Sequence, residues 1–472
     1  MAKMPTRRPN IILVFPDQHR GQDLGVAGNA QLRTPNIDRL AAEGLYLPHM
    51  YSNDPVTCPA RGVLMTGKYP HKSGLRINDQ RLPGNQPTLG AELSAAGHRT
   101  AFVGKWHLDG GLRKPGFVPK ERRLGFQWWA ANECNHNYFN TEYFRDDPTP
   151  IPMTKYEPIE LTDLAIEFLK QQKGKRKPFC LLVAYSPPHD PYVAPDQYMS
   201  LYPPDEIQLR PNFIEGTEVG GKNKRVLGPK DCQGYYAAIT CIDEQVGRIM
   251  KTLDDLSMTE DTLFIFTSDH GDMLGSNGYI LKRKPHEESI KVPGVFRWPR
   301  AIQPGQVKDA IFTWVDLMPT LLAIAGVAIP RGVQGRNLSR ALLDPKADGP
   351  EAAYLAQYMP YPTKVDAGWR GVRTKRYTYA RYEDRVWVTY DNQEDPFQMR
   401  NLAADRGARR LRAELEALLQ DLMKKNKDSW DYNVPKTTIL HVRPIEEHDA
   451  MIAAAYKEAG RRMPRRQRRF SV

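Results

Sequence analysis

Residues Asn10-Ile11-Ile12-Leu13-Val14-Phe15 form an unbroken apolar run of strand length that stops at Pro16 and the charged Asp17. A run without polar alternation fits a strand covered on both faces, which puts Asp17 at its carboxyl end. A second run of this kind, 262–267, ends in Ser268-Asp269-His270-Gly271. Between the two, the apolar spacing becomes helical over 36–43, 88–96, 159–172 and 233–256, with strand-like stretches at 100–103 and 179–185. Such alternation predicts an α/β sandwich with a largely parallel central sheet flanked by helices. In open sheets of this type ligands sit beyond the carboxyl ends of the strands, where Asp17, Lys105, His189 and Asp269 all fall.

The pattern changes after Leu342-Leu343-Asp344-Pro345. Short strand-like stretches at 353–357, 372–379 and 386–390 precede a helical pattern over 408–424, which predicts a small C-terminal antiparallel sheet packed by one helix. The expected organisation is therefore a large α/β domain over 1–350, a subdomain over 351–430 and an extension over 431–472.

Composition sharpens this picture only in places. A chain of 472 residues, 40% hydrophobic and 26% charged, can bury a substantial core. Five scattered cysteines include no CxxC pair and suggest no disulfide framework. No signal-peptide core and no run of about 20 apolar residues is visible, so the reading is a cytoplasmic chain with no membrane partner. Half of the net charge of +12 sits in Arg461, Arg462, Arg465, Arg466, Arg468 and Arg469. Without aromatic interleaving these arginines read as a solvated end or a homo-oligomer contact rather than a nucleic-acid tail. The remaining excess could steer a small anionic substrate.

The chemistry is carried by separated motifs. Thr57-Cys58-Pro59-Ala60-Arg61, followed by Leu64-Met65-Thr66-Gly67-Lys68-Tyr69-Pro70, resembles the signature of the sulfatase family, Cys-x-Pro-(Ser/Ala)-Arg with Leu-x-Thr-Gly-x-Tyr-Pro. Gly104-Lys105-Trp106-His107-Leu108, Pro188-His189-Asp190-Pro191 and Gly278-Tyr279-Ile280-Leu281-Lys282 resemble further elements of the same family. The resemblance runs from about residue 9 to 345 and, more weakly, through 369–377. It implies the alkaline-phosphatase-like sandwich. It also implies one divalent metal ion held by Asp17, Gln18, Asp269 and His270 with the Thr57 hydroxyl. The family commonly has an aspartate where this chain has Gln18, which lowers the ligand charge by one. Calcium or manganese is the leading expectation, with magnesium or zinc as alternatives.

Anchoring on Pro59 and Arg61 puts Thr57 where the family carries the cysteine that becomes formylglycine, so no formylglycine is expected. The implied catalytic set is Thr57 as nucleophile, Arg61 as its support, and Lys105, His107, His189 and Lys282 as charge stabilisers around the ester. His189 or Lys282 could protonate the leaving alkoxide, and His107 could activate water. A single hydroxyl cannot expel sulfate by collapse as a hydrated aldehyde does. The expectation is therefore a hydrolase of phosphate or phosphonate esters acting through a covalent Thr57 intermediate, of phosphodiesterase or phosphomonoesterase type. A sulfate ester hydrolase is the alternative, because the Lys and His set is that of sulfatases. A catalytically silent binding protein is a second alternative.

Overall fold

The computed structural model describes residues 8–110, 113–219, 225–360 and 365–434, together with residue 457. The arginine-rich end, where an oligomer contact is expected, lies outside the described residues.

Eight strands form the main sheet: β1 (Asn10–Val14), β2 (Leu45–Tyr46), β3 (Arg99–Lys105), β4 (Trp128–Asn132), β5 (Phe179–Ala184), β6 (Thr262–Phe266), β7 (Val295–Arg297) and β8 (Gln306–Val307). Their order is β8-β2-β7-β6-β1-β5-β3-β4. The five strands from β6 to β4 are mutually parallel, and β7 runs antiparallel to both its neighbours. The two apolar runs are paired centrally, with Ile11 against Leu263 and Val14 against Phe266.

The lack of polar alternation in β1 has the expected cause. Ile11, Leu13 and Phe15 enter the core on one face of the sheet, and Ile12 and Val14 enter the core on the other. The second face is covered by α1 (Pro35–Ala42), with α4 (Glu157–Gln172) and α5 (Pro229–Asp255) beside it. The first is covered by α2 (Thr57–Thr66), α3 (Leu89–Ala95) and α6 (Trp314–Ile324). Each fully buried aliphatic or aromatic side chain adds about 1.5–3 kcal/mol relative to exposure, so the sandwich holds β1 and β6 rigidly and aims their carboxyl ends at one edge.

The C-terminal sheet has four antiparallel strands in chain order: β9 (Ala352–Gln357), β10 (Trp369–Thr374), β11 (Tyr377–Arg381) and β12 (Val386–Asp391). The helix α7 (Arg409–Asn426) lies against it. The single strand expected over 372–379 is two strands joined at Lys375-Arg376. The corner contains no glycine or proline, so nothing in the local pattern marks it. This sheet braces the segment that carries Lys282. Trp369 Nε1 donates to the Arg283 carbonyl at 2.8 Å, and Arg373 grips Glu287 at 2.8 and 3.2 Å. Among the described residues no helix is long and apolar enough to cross a membrane, and all five cysteines are buried and free.

Candidate active site

β1 and β6 deliver Asp17 and Asp269 to one edge of the sheet. All of Asp17, Asp269, His270 and Thr57 are buried there. One ligand-type atom from each of Asp17, Asp269 and His270 lies within 4.8 Å of the others. Thr57, the first residue of α2, places its Oγ1 3.0 Å from His270 Nε2. His270 Nδ1 lies 3.0 Å from the Gly271 carbonyl, which fixes the proton on Nδ1 and turns the Nε2 lone pair toward the carboxylates.

Cations surround this group. Lys105 Nζ donates to Asp17 Oδ2 at 2.6 Å, while Arg61 reaches Asp17 at 3.4 Å and Asp269 Oδ2 at 3.1 Å. Arg61 also donates to the Lys105 carbonyl, so it ties α2 to β3 beneath Thr57. Burial opposes the Asp17 charge, but Lys105, His189, His270 and Arg61 together hold its carboxyl well below the usual range. Burial and the neighbouring Asp17 charge push Asp269 up to about 6.

These donors fit a divalent cation. Asp17 Oδ1 is buried and has no hydrogen-bond partner among the described residues, and the second carboxylate of the pair is raised by the first. Two carboxylates, an imidazole lone pair and a hydroxyl are a hard, mixed oxygen and nitrogen set suited to such an ion.

Gln18 has φ of +73°, a left-handed conformation that costs a non-glycine residue about 1–2 kcal/mol. Its amide spans two neighbours, with Oε1 2.5 Å from Lys282 Nζ and Nε2 2.6 Å from Asp272 Oδ2. Lys282 Nζ also lies 2.6 Å from His189 Nε2, and His189 Nδ1 lies 2.8 Å from the Asp190 carbonyl. Burial lowers Lys282 to about 8, and burial together with the Lys282 charge drives His189 well below its ordinary value. The pair is therefore a neutral imidazole accepting from an ammonium that can lose its proton near neutrality.

His107 lies behind Thr57 in a different network. Its Nε2 is 3.0 Å from Asp79 Oδ1, and Arg113 grips the same carboxylate at 2.7–3.1 Å. Cys58 Sγ accepts from Asp79 N at 3.3 Å. Burial works against the charge on His107, yet Cys134, Cys58 and Asp79 hold its pKa well above the ordinary value. Cys58, Asp79 and His107 are close enough to be ligands of one ion. With His107 and Arg113 both on Asp79, however, the carboxylate is already neutralised, and the cluster acts as a support for a charged imidazole.

Motif reading missed several residues that the fold supplies. Asp272 sets the Gln18 amide and accepts from Tyr192 Oη at 2.6 Å. His136 stacks edge-on against His189 with ring centroids 5.1 Å apart, and burial lowers it to about 3. Glu157 accepts from Ser186 N at 2.9 Å and Ser186 Oγ at 2.6 Å, fixing the turn that carries His189. Only Asp272 had a local signal, lying two residues after His270.

Burial raises Glu157 to about 7. A raised carboxyl favours folding when protonated, so its contribution is complete below about 4.5 and is lost as pH rises through 7. We expect Glu157→Gln to lack this loss. Between pH 5 and 8 the wild type should lose up to roughly 3 kcal/mol relative to the variant, read as diverging denaturation midpoints. Parallel pH profiles would refute the assignment.

The sulfatase family profile matches residues 9–327, and that of the N-sulphoglucosamine sulphohydrolase C-terminal region matches 275–425. The chain is a member of the sulfatase family. It is an ester hydrolase of the alkaline phosphatase superfamily. An ulvan-active sulfatase from Formosa agariphila is 35% identical over 441 residues, spanning 92% of this chain and 84% of that protein. An endo-4-O-sulfatase from Bacteroides thetaiotaomicron is 30% identical, spanning 89% and 93%. A solved protein in complex with its substrate D-glucosamine-2-N,6-O-disulfate superposes with a TM-score of 0.79 at 26% identity, covering 89% of this chain and 98% of the other.

These likenesses overturn the expected preference for phosphate or phosphonate esters. The relatives alike over most of their length are named for sulfate esters. A phosphonate monoester hydrolase of Agrobacterium radiobacter, at 22% identity and a TM-score of 0.72, shares the fold alone. The single hydroxyl of Thr57 is outweighed by the likeness of the whole chain to sulfatases. Sulfatase-family enzymes bind a divalent metal, and Asp17, Asp269 and His270 are the candidate ligands here.

Proposed function

We propose that this protein hydrolyses sulfate esters of a carbohydrate, with Thr57 in the position of the family's nucleophile. The observation that carries this reading is the 35% identity to an ulvan-active sulfatase across 92% of the chain. A divalent ion would be held by Asp17, Gln18, Asp269, His270 and Thr57, where it would lower the hydroxyl pKa and polarise the ester oxygen.

The chain's own groups do the rest. Thr57 Oγ1 gives up its proton to water and forms the bond to sulfur while the bond from sulfur to the sugar oxygen breaks. Lys282 Nζ, with its pKa near 8 and His189 behind it, gives the leaving alkoxide its proton. Lys105 and the charged His107 hold negative charge on the sulfuryl oxygens. His107 acts as a donor rather than as a base for water, because Asp79 and the thiols keep it protonated. Water then cleaves the bond between Thr57 and sulfur, releasing hydrogen sulfate and restoring the hydroxyl.

The test is a matched panel of aryl sulfate, phosphate monoester, phosphate diester and phosphonate monoester with one leaving group. The sulfate ester should turn over fastest, and inorganic sulfate should appear from sulfated oligosaccharides. Faster phosphoester cleavage would sink the reading.

A further inference from the structure

A cavity of about 910 Å³ opens between the 27–31 and 208–211 segments of the large domain and the Lys375-Arg376 corner of the C-terminal sheet. None of the residues gathered round Thr57 borders it. Five cationic side chains and two carboxylates face it. Most of the cations are committed. Arg373 holds Glu287 at 2.8 Å, Arg210 holds Glu288 at 3.1 Å, and Arg376 holds Asp391 at 2.7 Å. Lys375 lies 3.2 Å from Glu351 and 3.4 Å from Asp309.

Lys291 differs. Among the described residues no ion pair or hydrogen bond takes up its Nζ, and the carboxylate that acts on it most, Glu287, is already bound by Arg373. Gly21 makes room for the lysine stem, since a Cβ there would lie 2.8 Å from Lys291 Cγ. Gln22 Oε1, on the same wall, is buried and likewise lacks a partner.

An unpaired, partly buried ammonium and an unpaired amide oxygen lining one cavity call for a ligand that carries both negative charge and hydroxyl donors. Phe397 adds a flat apolar face, with the Arg210 guanidinium 5.1 Å from its ring centre. Glu287 and Asp309 in the wall disfavour a densely charged phosphate chain. They can accept sugar hydroxyls, so spaced single charges on a carbohydrate fit better.

We propose that this cavity is a second binding site for an anionic oligosaccharide, taking a non-reacting sulfated or carboxylated sugar unit on Lys291. The assignment of that ligand rests on the sulfate ester reading above and extends it from the cleaved group to the chain that bears it.

The test uses the full-length, metal-loaded protein and a heparin-derived hexasaccharide, with affinity measured by calorimetry. Lys291→Ala should weaken binding about tenfold, and Lys291→Arg, which keeps the charge, should restore most of it. Lys375→Ala, at a more exposed position, should weaken binding about threefold. All three should leave kcat/KM for a small aryl sulfate within about twofold, because none touches the reacting atoms. A galacturonate hexamer separates the two sources of charge: binding equal to that of the sulfated chain assigns the site to carboxylated sugars, and weaker binding assigns it to sulfated ones. If no sulfate ester is cleaved yet Lys291→Ala still weakens hexasaccharide binding, the cavity stands and the ester reading falls. If sulfate esters are cleaved while Lys291→Ala and Lys375→Ala bind as the wild type does, the cavity proposal is overturned and the ester reading stands.

Discussion

Thr57→Cys, co-expressed with a formylglycine-generating enzyme, is expected to raise sulfate ester turnover by at least about tenfold over the wild type. The substitution puts a cysteine directly ahead of Cys58-Pro59-Ala60-Arg61 and completes the motif that such enzymes modify. A hydrated aldehyde would carry two hydroxyls, one to take up the sulfuryl group and one to expel it by collapse. The wild-type threonine has one, so its covalent sulfate must wait for water. Everything else the aldehyde needs is already in place: Arg61 beneath α2, Lys105 on Asp17, and Lys282 against His189. Mass spectrometry of the peptide spanning residue 57 must first show the conversion. Thr57→Ala is the control, and its turnover should fall by about 10³-fold or more with an unchanged melting temperature. A converted protein no faster than the wild type would mean that release from Thr57 does not limit the rate.

The second large effect concerns the acidic pair. Asp269→Asn should weaken divalent metal binding by at least roughly a hundredfold, since even residues that merely orient metal ligands cost 10–100-fold when changed. The loss has a second component. Arg61 Nε would face an amide in place of a carboxylate at 3.1 Å, leaving a buried guanidinium with less compensating charge. Elemental analysis of the purified variant reads the metal, and a metal content equal to wild type would remove Asp269 from the ligand set. Adding back millimolar metal should restore part of the activity if the fold is intact, because Asp17 and His270 remain.

Much of the fold was readable because its signals are local. β1 and β6 are covered on both faces and so appear as uninterrupted apolar runs, and α4 and α5 are long enough for their spacing to be plain. The helix α2 was not readable from spacing. All ten of its residues are buried, so it has no polar stripe to set a period, and it contains both a proline and a glycine. The corner at Lys375-Arg376 was missed because no glycine or proline marks the turn there.

The sequence by itself determined the α/β sandwich, the family and the candidate set of Thr57 and nine further residues. Each of these rests on short contiguous motifs or on periodicity, which survive in one dimension. Only the tertiary structure decided how those residues divide their work. Gln18 turns its amide between Lys282 and Asp272, and His107 is charged because Asp79, Arg113 and two thiols meet behind Thr57. The protonation of a buried group depends on the charges within a few ångströms of it, and those charges come from segments up to 264 residues apart. The same holds for the cavity at Lys291, whose wall draws on separate segments of the large domain and on the C-terminal sheet and leaves no contiguous trace in the chain.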